Sequence, residues 1–231
     1  MRPLRQRALA SLVFAITISA SSANAAPASA PKPAGKGATT AASSIGAEIV
    51  QFQGEATSRD ARDTANWVTT SHDNRGLPFI VIDKVNAKVL AFDGKGSLRG
   101  ASPALLGLAR SDASVPGIGH RKLATITPAE RTTPAGRFQA SLGNDFDQDI
   151  LWVDYDAALS LHRVIAGRPQ DHRAARLASA SPDDNRISYG CINVPAKFYD
   201  DVVKPLFTET VGIVYILPET KPLRSVFAVP N

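Results

Sequence analysis

Ser188-Tyr189-Gly190-Cys191-Ile192-Asn193 is the stretch on which the reading of this chain turns. It holds the only cysteine among 231 residues, and a glycine precedes that cysteine. Lacking a Cβ, glycine lets a substrate backbone come close and frees the local conformation. Behind the motif, Pro195 to Phe207 has helical spacing of Phe198, Val202, Val203 and Leu206, with the proline in its first turn. A strand or loop that runs into a helix just after a cysteine aims amide N–H groups at the sulfur, which favours a thiolate and an oxyanion beside it. A cysteine nucleophile also needs a nearby base, usually histidine. The chain offers His72, His120, His162 and His172. The competing reading of a lone cysteine is a small buried apolar residue without chemistry.

The N-terminus bears on that choice. Arg2, Arg5 and Arg7 precede an uncharged apolar run, Ala8 to Ala20, and Ala23-Asn24-Ala25 supplies a small-x-small cleavage site. This is the layout of a secretory signal peptide over 1–25, with a second candidate cut after Ala28-Ser29-Ala30. The run is shorter than the roughly 20 apolar residues that span a bilayer. Stable membrane insertion after cleavage is therefore not expected, and the periplasm is the expected location. Exported proteins generally pair their cysteines; one cysteine cannot pair within the chain, so it is either buried or used. The formal net charge of +5 falls to +2 without the three leader arginines, which are the only charges in 1–25. No dense basic face is implied, and nucleic acid is not an expected partner.

Residues 26–47 are rich in Ala, Pro, Ser, Gly and Thr and read as a flexible linker. Residues 48–77 read as an N-terminal extension with a helix over about 58–70. From 78 onward the pattern is β-rich. Phe79 to Asp83 and Lys88 to Phe92 form a hairpin bounded by turn residues, and Leu98 to Gly107 is a third strand with an irregular end. Arg110 to Arg121 is a loop. Ala124–Ile126, Gly136–Leu142, Leu151–Tyr155, Ala158–His162 and Val211–Leu217 read as strands, with a short helix near 173–179. Along 158–162, Leu159 and Leu161 share one face while Ser160 and His162 share the other. Hydrophobic residues at 44% and charged residues at 20% suit a globular domain. The expected fold is mainly β with short helices over 78–218, followed by a C-terminal tail over 219–231.

Three ordered segments carry a resemblance. Ser188-Tyr189-Gly190-Cys191-Ile192-Asn193, Thr133-Pro134-Ala135-Gly136-Arg137-Phe138 and the strand Leu159-Ser160-Leu161-His162, together with the hairpin from Phe79 to Phe92, resemble the L,D-transpeptidase catalytic domain (YkuD-like). The resemblance implies a β-sandwich or barrel with short helices, and a cysteine enzyme that needs no metal or organic cofactor. Such enzymes attack peptidoglycan stem peptides, form a thioester at the third residue and pass it to an amine of a second stem. Some members attach lipoproteins or hydrolyse such bonds instead. By position, the resemblance makes Cys191 the nucleophile and His162 the base. The backbone carbonyl of Arg163 would orient the ring, and the N–H groups of Gly190 and Cys191, with Tyr189, would form the oxyanion hole. Nothing in the sequence calls for a permanent partner, and a monomer is compatible with it.

Two departures stand out. Tyr189 occupies the place where the family usually has histidine before Gly-Cys; a phenol can donate a hydrogen bond but carries no positive charge. The family's His-Gly pair reads His162-Arg163, and 29 positions separate His162 from Cys191. His172 lies closer to the usual spacing, so it remains a second candidate base, although His162 ends a strand that can hold a ring rigidly. Arg186 either holds a substrate carboxylate or pairs with Asp183 or Asp184. Ser188 flanks the motif as a substrate contact, and Asn193 is either a substrate-facing amide or a cap before Pro195. His72 and His120 read as solvated loop residues, and Trp67 and Trp152 as core. Four scattered histidines and one cysteine lack metal-ligand spacing. Alternatives to a transferase are a hydrolase on the same scaffold and a catalytically silent wall-binding or regulatory protein.

Overall fold

The computed structural model describes residues 50–145 and 147–230; the expected signal peptide and linker lie outside the described residues. Helix α1 (Arg59–Ser71) starts at Ser58, whose Oγ accepts the Ala61 N–H at 3.0 Å, and ends at His72 in a left-handed conformation. Ten strands follow: β1 (Phe79–Asp83), β2 (Lys88–Phe92), β3 (Leu98–Pro103), β4 (Leu106–Gly107), β5 (Gly136–Asp145), β6 (Gln148–Asp154), β7 (Leu159–Arg163), β8 (Arg186–Ser188), β9 (Ile192–Val194) and β10 (Val211–Ile216). Helix α2 (Arg173–Ala178) lies between β7 and β8. Between β9 and β10, α3 (Ala196–Phe198) widens into a π-helical turn, Tyr199–Val203, and continues as α4 (Lys204–Phe207). Pro205 within α4 has no N–H to donate to the preceding turn, a reason for the helix to widen just upstream.

Eight strands form one sheet in the order β3-β2-β1-β10-β5-β6-β7-β9. Its two edges are joined: the Leu105 and Asn193 main chains exchange N–H···O bonds of 2.8 and 2.9 Å. This joining follows from a break in the third strand. Pro103 cannot donate to a ladder, so pairing with β2 stops there and the chain crosses to β9 and then, as β4, to β8. The expected strand Leu98–Gly107 is thus two strands on different neighbours. The mainly β expectation is met.

β1 and β10 run parallel at the centre of the sheet, and β1 is buried throughout. Ile80 and Ile82 belong to a core shared with Tyr199, Val203 and Phe207. Phe79 and Val81 belong to a second core with Ala61, Ala65 and Val68 of α1. Cover on both faces explains why Phe79-Ile80-Val81-Ile82 is continuously apolar rather than alternating. Leu223, Phe227 and Val229 also enter the second core, so much of the segment expected as a tail is packed. Trp67 lies edge-on to Tyr215 there, as a core residue.

One expected strand is absent. Leu123–Thr125 is a 3₁₀ turn, and the next turn, Pro128–Glu130, is held by a capping box between Thr127 and Glu130. Proline and capping chemistry override a three-residue apolar hint. No helix among the described residues is long and apolar enough to cross a membrane.

Candidate active site

β7 and β9 are the second parallel pair of the large sheet, with His162 opposite Asn193 and Leu161 opposite Ile192. Alternation sends Leu159, Leu161, Ile192 and Val194 into the core. Ser160 and His162 project to the other side, where Cys191, just before β9, and Asn193 meet them. The His162 Nδ1–H donates to the Arg163 carbonyl oxygen at 2.7 Å, which leaves Nε2 as the acceptor. The thiol and the ring line one cleft, and each shifts the proton affinity of the other. Ser160 Oγ donates to Cys191 Sγ at 3.5 Å, and Sγ lies 3.5 Å from the Ala158 carbonyl.

Burial alone would push the Cys191 thiol up; the nearby His162 ring and its charge, with donors from Ser160, bring it below its ordinary range. For His162, burial acts downward, and contact with Cys191 and the Arg163 carbonyl raises the ring above its usual value. Both directions favour proton transfer from sulfur to nitrogen.

A hydrogen-bonded turn presents the cysteine. Ser188 Oγ donates to the Cys191 carbonyl at 2.7 Å and accepts the Gly190 N–H at 3.0 Å. Gly190 has φ +140°, and a Cβ there would sit 2.7 Å from the Thr132 carbonyl oxygen, so this position requires glycine. Thr133 Oγ1 donates to the Gly190 carbonyl at 2.7 Å and accepts the Gly107 N–H at 2.9 Å. Thr133 is the threonine of the Thr-Pro-x-Gly segment; the motif was legible, but its task of holding the turn before Cys191 was not.

The structure redistributes several expected roles. Ser188 is buried and its hydroxyl is committed to the turn, so it is no free substrate contact. The Gly190 N–H is committed to Ser188, whereas the Cys191 N–H has no hydrogen-bond partner among the described residues. Arg186 is corrected outright. Its buried guanidinium bonds Glu219 Oε2 at 2.6 Å and the Lys84 carbonyl at 2.7 Å, in a cluster with Lys84 and Asp112, and pairs with neither Asp183 nor Asp184. Glu219 is 33 positions away, which local sequence cannot reveal.

Asn193 is no helix cap. Its Nδ2 lies 3.4 Å from His162 Nε2 and donates to the Cys191 carbonyl at 3.2 Å. The side chain of Arg163 turns away from the thiol to Asp149 and Asp200, over the Tyr199 ring, so only its carbonyl serves the histidine. His72, His120 and His172 are exposed.

Two cavities meet at the thiol. The larger, about 490 Å³, has Ser160, His162, Arg173 and Asn193 in its wall, with Asp145, Asp147 and Trp152 at its polar and aromatic sides. Trp152, expected in the core, faces this cleft and stacks on Tyr155 at 4.6 Å. The smaller, about 90 Å³, lies under the 114–132 segment and is lined by Ile118, Ile126, Pro134 and Leu159. Tyr189, 37% exposed, borders both, and the Arg131 guanidinium sits 4.0 Å above its ring.

No family model and no curated protein matches the chain. Among solved structures, it is similar to the LD transpeptidase LdtMt1 in complex with imipenem, with a TM-score of 0.36, 15% identity, 61% of this chain and 58% of that chain covered. It is also similar to the helical cell shape determining protein Pgp2 from Campylobacter jejuni, with a TM-score of 0.41, 11% identity, 71% of this chain and 58% of that chain covered. The chain thus spans 58% of the length of each.

Proposed function

We propose that this chain is a periplasmic, cysteine-dependent L,D-transpeptidase that acylates itself with a peptidoglycan stem peptide and transfers the acyl group to an amine. The observation that carries this reading is that Cys191 and His162 line one cleft, with the thiol at the junction of two cavities. It lies within the motifs that resemble the family.

In the first half-reaction, Cys191 gives its proton to His162 Nε2 as sulfur bonds to the carbonyl carbon of the scissile amide. The oxygen takes up the electron pair and accepts from the Cys191 N–H; one such donor is typically worth about 10²–10³ in rate. Collapse breaks the C–N bond, and the leaving amine takes the proton from His162. In the second half-reaction an acceptor amine attacks the thioester, gives a proton to the same nitrogen, and the thiolate of Cys191 recovers it. A second cavity at the thiol gives the acceptor a place beside the acyl chain, which favours transfer over hydrolysis.

Mass analysis of muropeptides after incubation with the purified protein tests the proposal. Dimers with 3→3 linkage are expected. Tripeptides alone would replace transfer by hydrolysis, and an unchanged profile would favour a silent wall-binding protein.

A further inference from the structure

The segment between His162 and Cys191 is long, and it brings a charged side chain to the site that the catalytic steps above do not use. Arg173, the first residue of α2, has a side chain only 13% exposed. Its Nη1 donates to Asn193 Oδ1 at 2.9 Å, and its Nε lies 3.5 Å from Asp171 Oδ2. Gly167 folds over it: φ there is +63°, and a Cβ would approach the Arg173 Nε to 2.7 Å.

A guanidinium only donates, so only the oxygen of the Asn193 amide can face it. The amide nitrogen is thereby turned toward His162 Nε2, at 3.4 Å, and toward the Cys191 carbonyl, at 3.2 Å. An amide N–H opposite Nε2 is compatible with a lone pair there; a protonated Nε2 would set donor against donor.

We propose that Arg173 is a positioning residue: by holding Asn193 Oδ1 it keeps the amide donor toward His162 Nε2, and so keeps the ring neutral in the resting site. Without Arg173 the amide is free to turn and offer its oxygen to a protonated ring, which locks the pair as imidazolium and thiolate. The inference rests on the reading of Cys191 and His162 as nucleophile and base. The charge of Arg173 acts in the same direction, lowering the proton affinity of the ring against the raising effect of Cys191. Other charged or titratable groups around the cleft are Asp171 beside Arg173, Asp145 and Asp147 in the cavity wall, and Tyr189, with Arg131 over its ring. Arg163 spends its guanidinium on Asp149 and Asp200.

The test is the pH dependence of iodoacetamide alkylation of Cys191 in the full mature chain, with melting curves for each variant. Arg173→Met keeps the packing and removes the donor; it should move the alkylation midpoint down by about 0.5–1 pH unit. Arg173→Lys, which retains charge and a donor, should return the midpoint most of the way. In an Asn193→Ala background, Arg173→Met should have less than half its effect. An unmoved or raised midpoint in Arg173→Met, or an equal shift in the Asn193→Ala background, would overturn the assignment. If Asn193→Ala does not fold, imidazole ¹⁵N shifts decide. At neutral pH the wild type should show Nε2 unprotonated and Arg173→Met should show it protonated; the same state in both overturns the proposal. A wild-type profile with no dependence on His162 sinks the Cys191–His162 pair and the proposed function with it. A His162-dependent profile that Arg173→Met leaves unchanged sinks only the role of Arg173.

Discussion

The large sheet contains two parallel strand pairs, β1–β10 and β7–β9, and they are treated oppositely. The first is covered on both sides, by α1 on one face and by Tyr199, Val203 and Phe207 on the other. The second has an apolar core on one side only. Its other face carries Ser160, His162 and Asn193 beside Cys191 and opens into the cleft. Parallel strands ordinarily demand cover on both faces. Where this fold withholds it, polar side chains take the place of apolar ones and must satisfy one another. Stability is therefore expected to concentrate at β1–β10 and, under the proposed function, chemistry at β7–β9, and substitutions should separate the two.

The largest expected effect is at the open pair. His162→Ala should lower acyl transfer by about 10²–10⁴, measured as the rate of product formation, while the melting temperature stays close to wild type. A comparable loss of stability would mean that the open face also holds the fold. The converse change is Ala65→Asp, which places an unpaired carboxylate at a site with no exposure, between α1 and β1. It should cost about 3–5 kcal/mol in urea unfolding, with near-normal alkylation of Cys191 in the fraction that remains folded.

Thr133→Val tests the tie between the two kinds of region, because it strips partners from the buried Gly190 carbonyl and Gly107 N–H. A loss of about 1–3 kcal/mol is expected, and with it a fall in alkylation rate per folded molecule; a normal rate would show that the turn holds its shape unaided. The smallest effect belongs to Tyr189→Ala. It removes a partly exposed cation–π contact with Arg131, worth about 0.5–1 kcal/mol. It should slow transfer to a bulky amine more than it slows alkylation by a small reagent; equal slowing would place Tyr189 on the nucleophile rather than on the substrate.

The covered pair was easy to see in the sequence, since Phe79 to Ile82 and Val211 to Ile216 are continuous apolar runs that only buried strands explain. The open pair was legible through alternation: Leu159 and Leu161 against Ser160 and His162. What escaped depends on contacts across long stretches of chain. Arg186 was read against Asp183 and Asp184, its near neighbours, but its partner Glu219 arrives only after β10 has been laid down. Arg173 is flanked in sequence by Asp171, His172 and Arg176, and nothing local tells that Gly167 and α2 seat it on Asn193. That the Gly190 N–H is occupied escaped because a serine two positions earlier can capture it, a side-chain choice that the motif does not express. Trp152 was expected in the core because large aromatics usually are buried; it lies instead where β6 borders the uncovered face.

The central claim is that Cys191 forms a thioester with a stem peptide through His162. Intact-mass spectrometry of the protein quenched shortly after mixing with a tetrapeptide stem measures this directly. An acyl adduct on the peptide containing Cys191 is expected, formed far more slowly in His162→Ala and absent in Cys191→Ala. Consumption of the stem by the Cys191→Ala protein at the wild-type rate would contradict it.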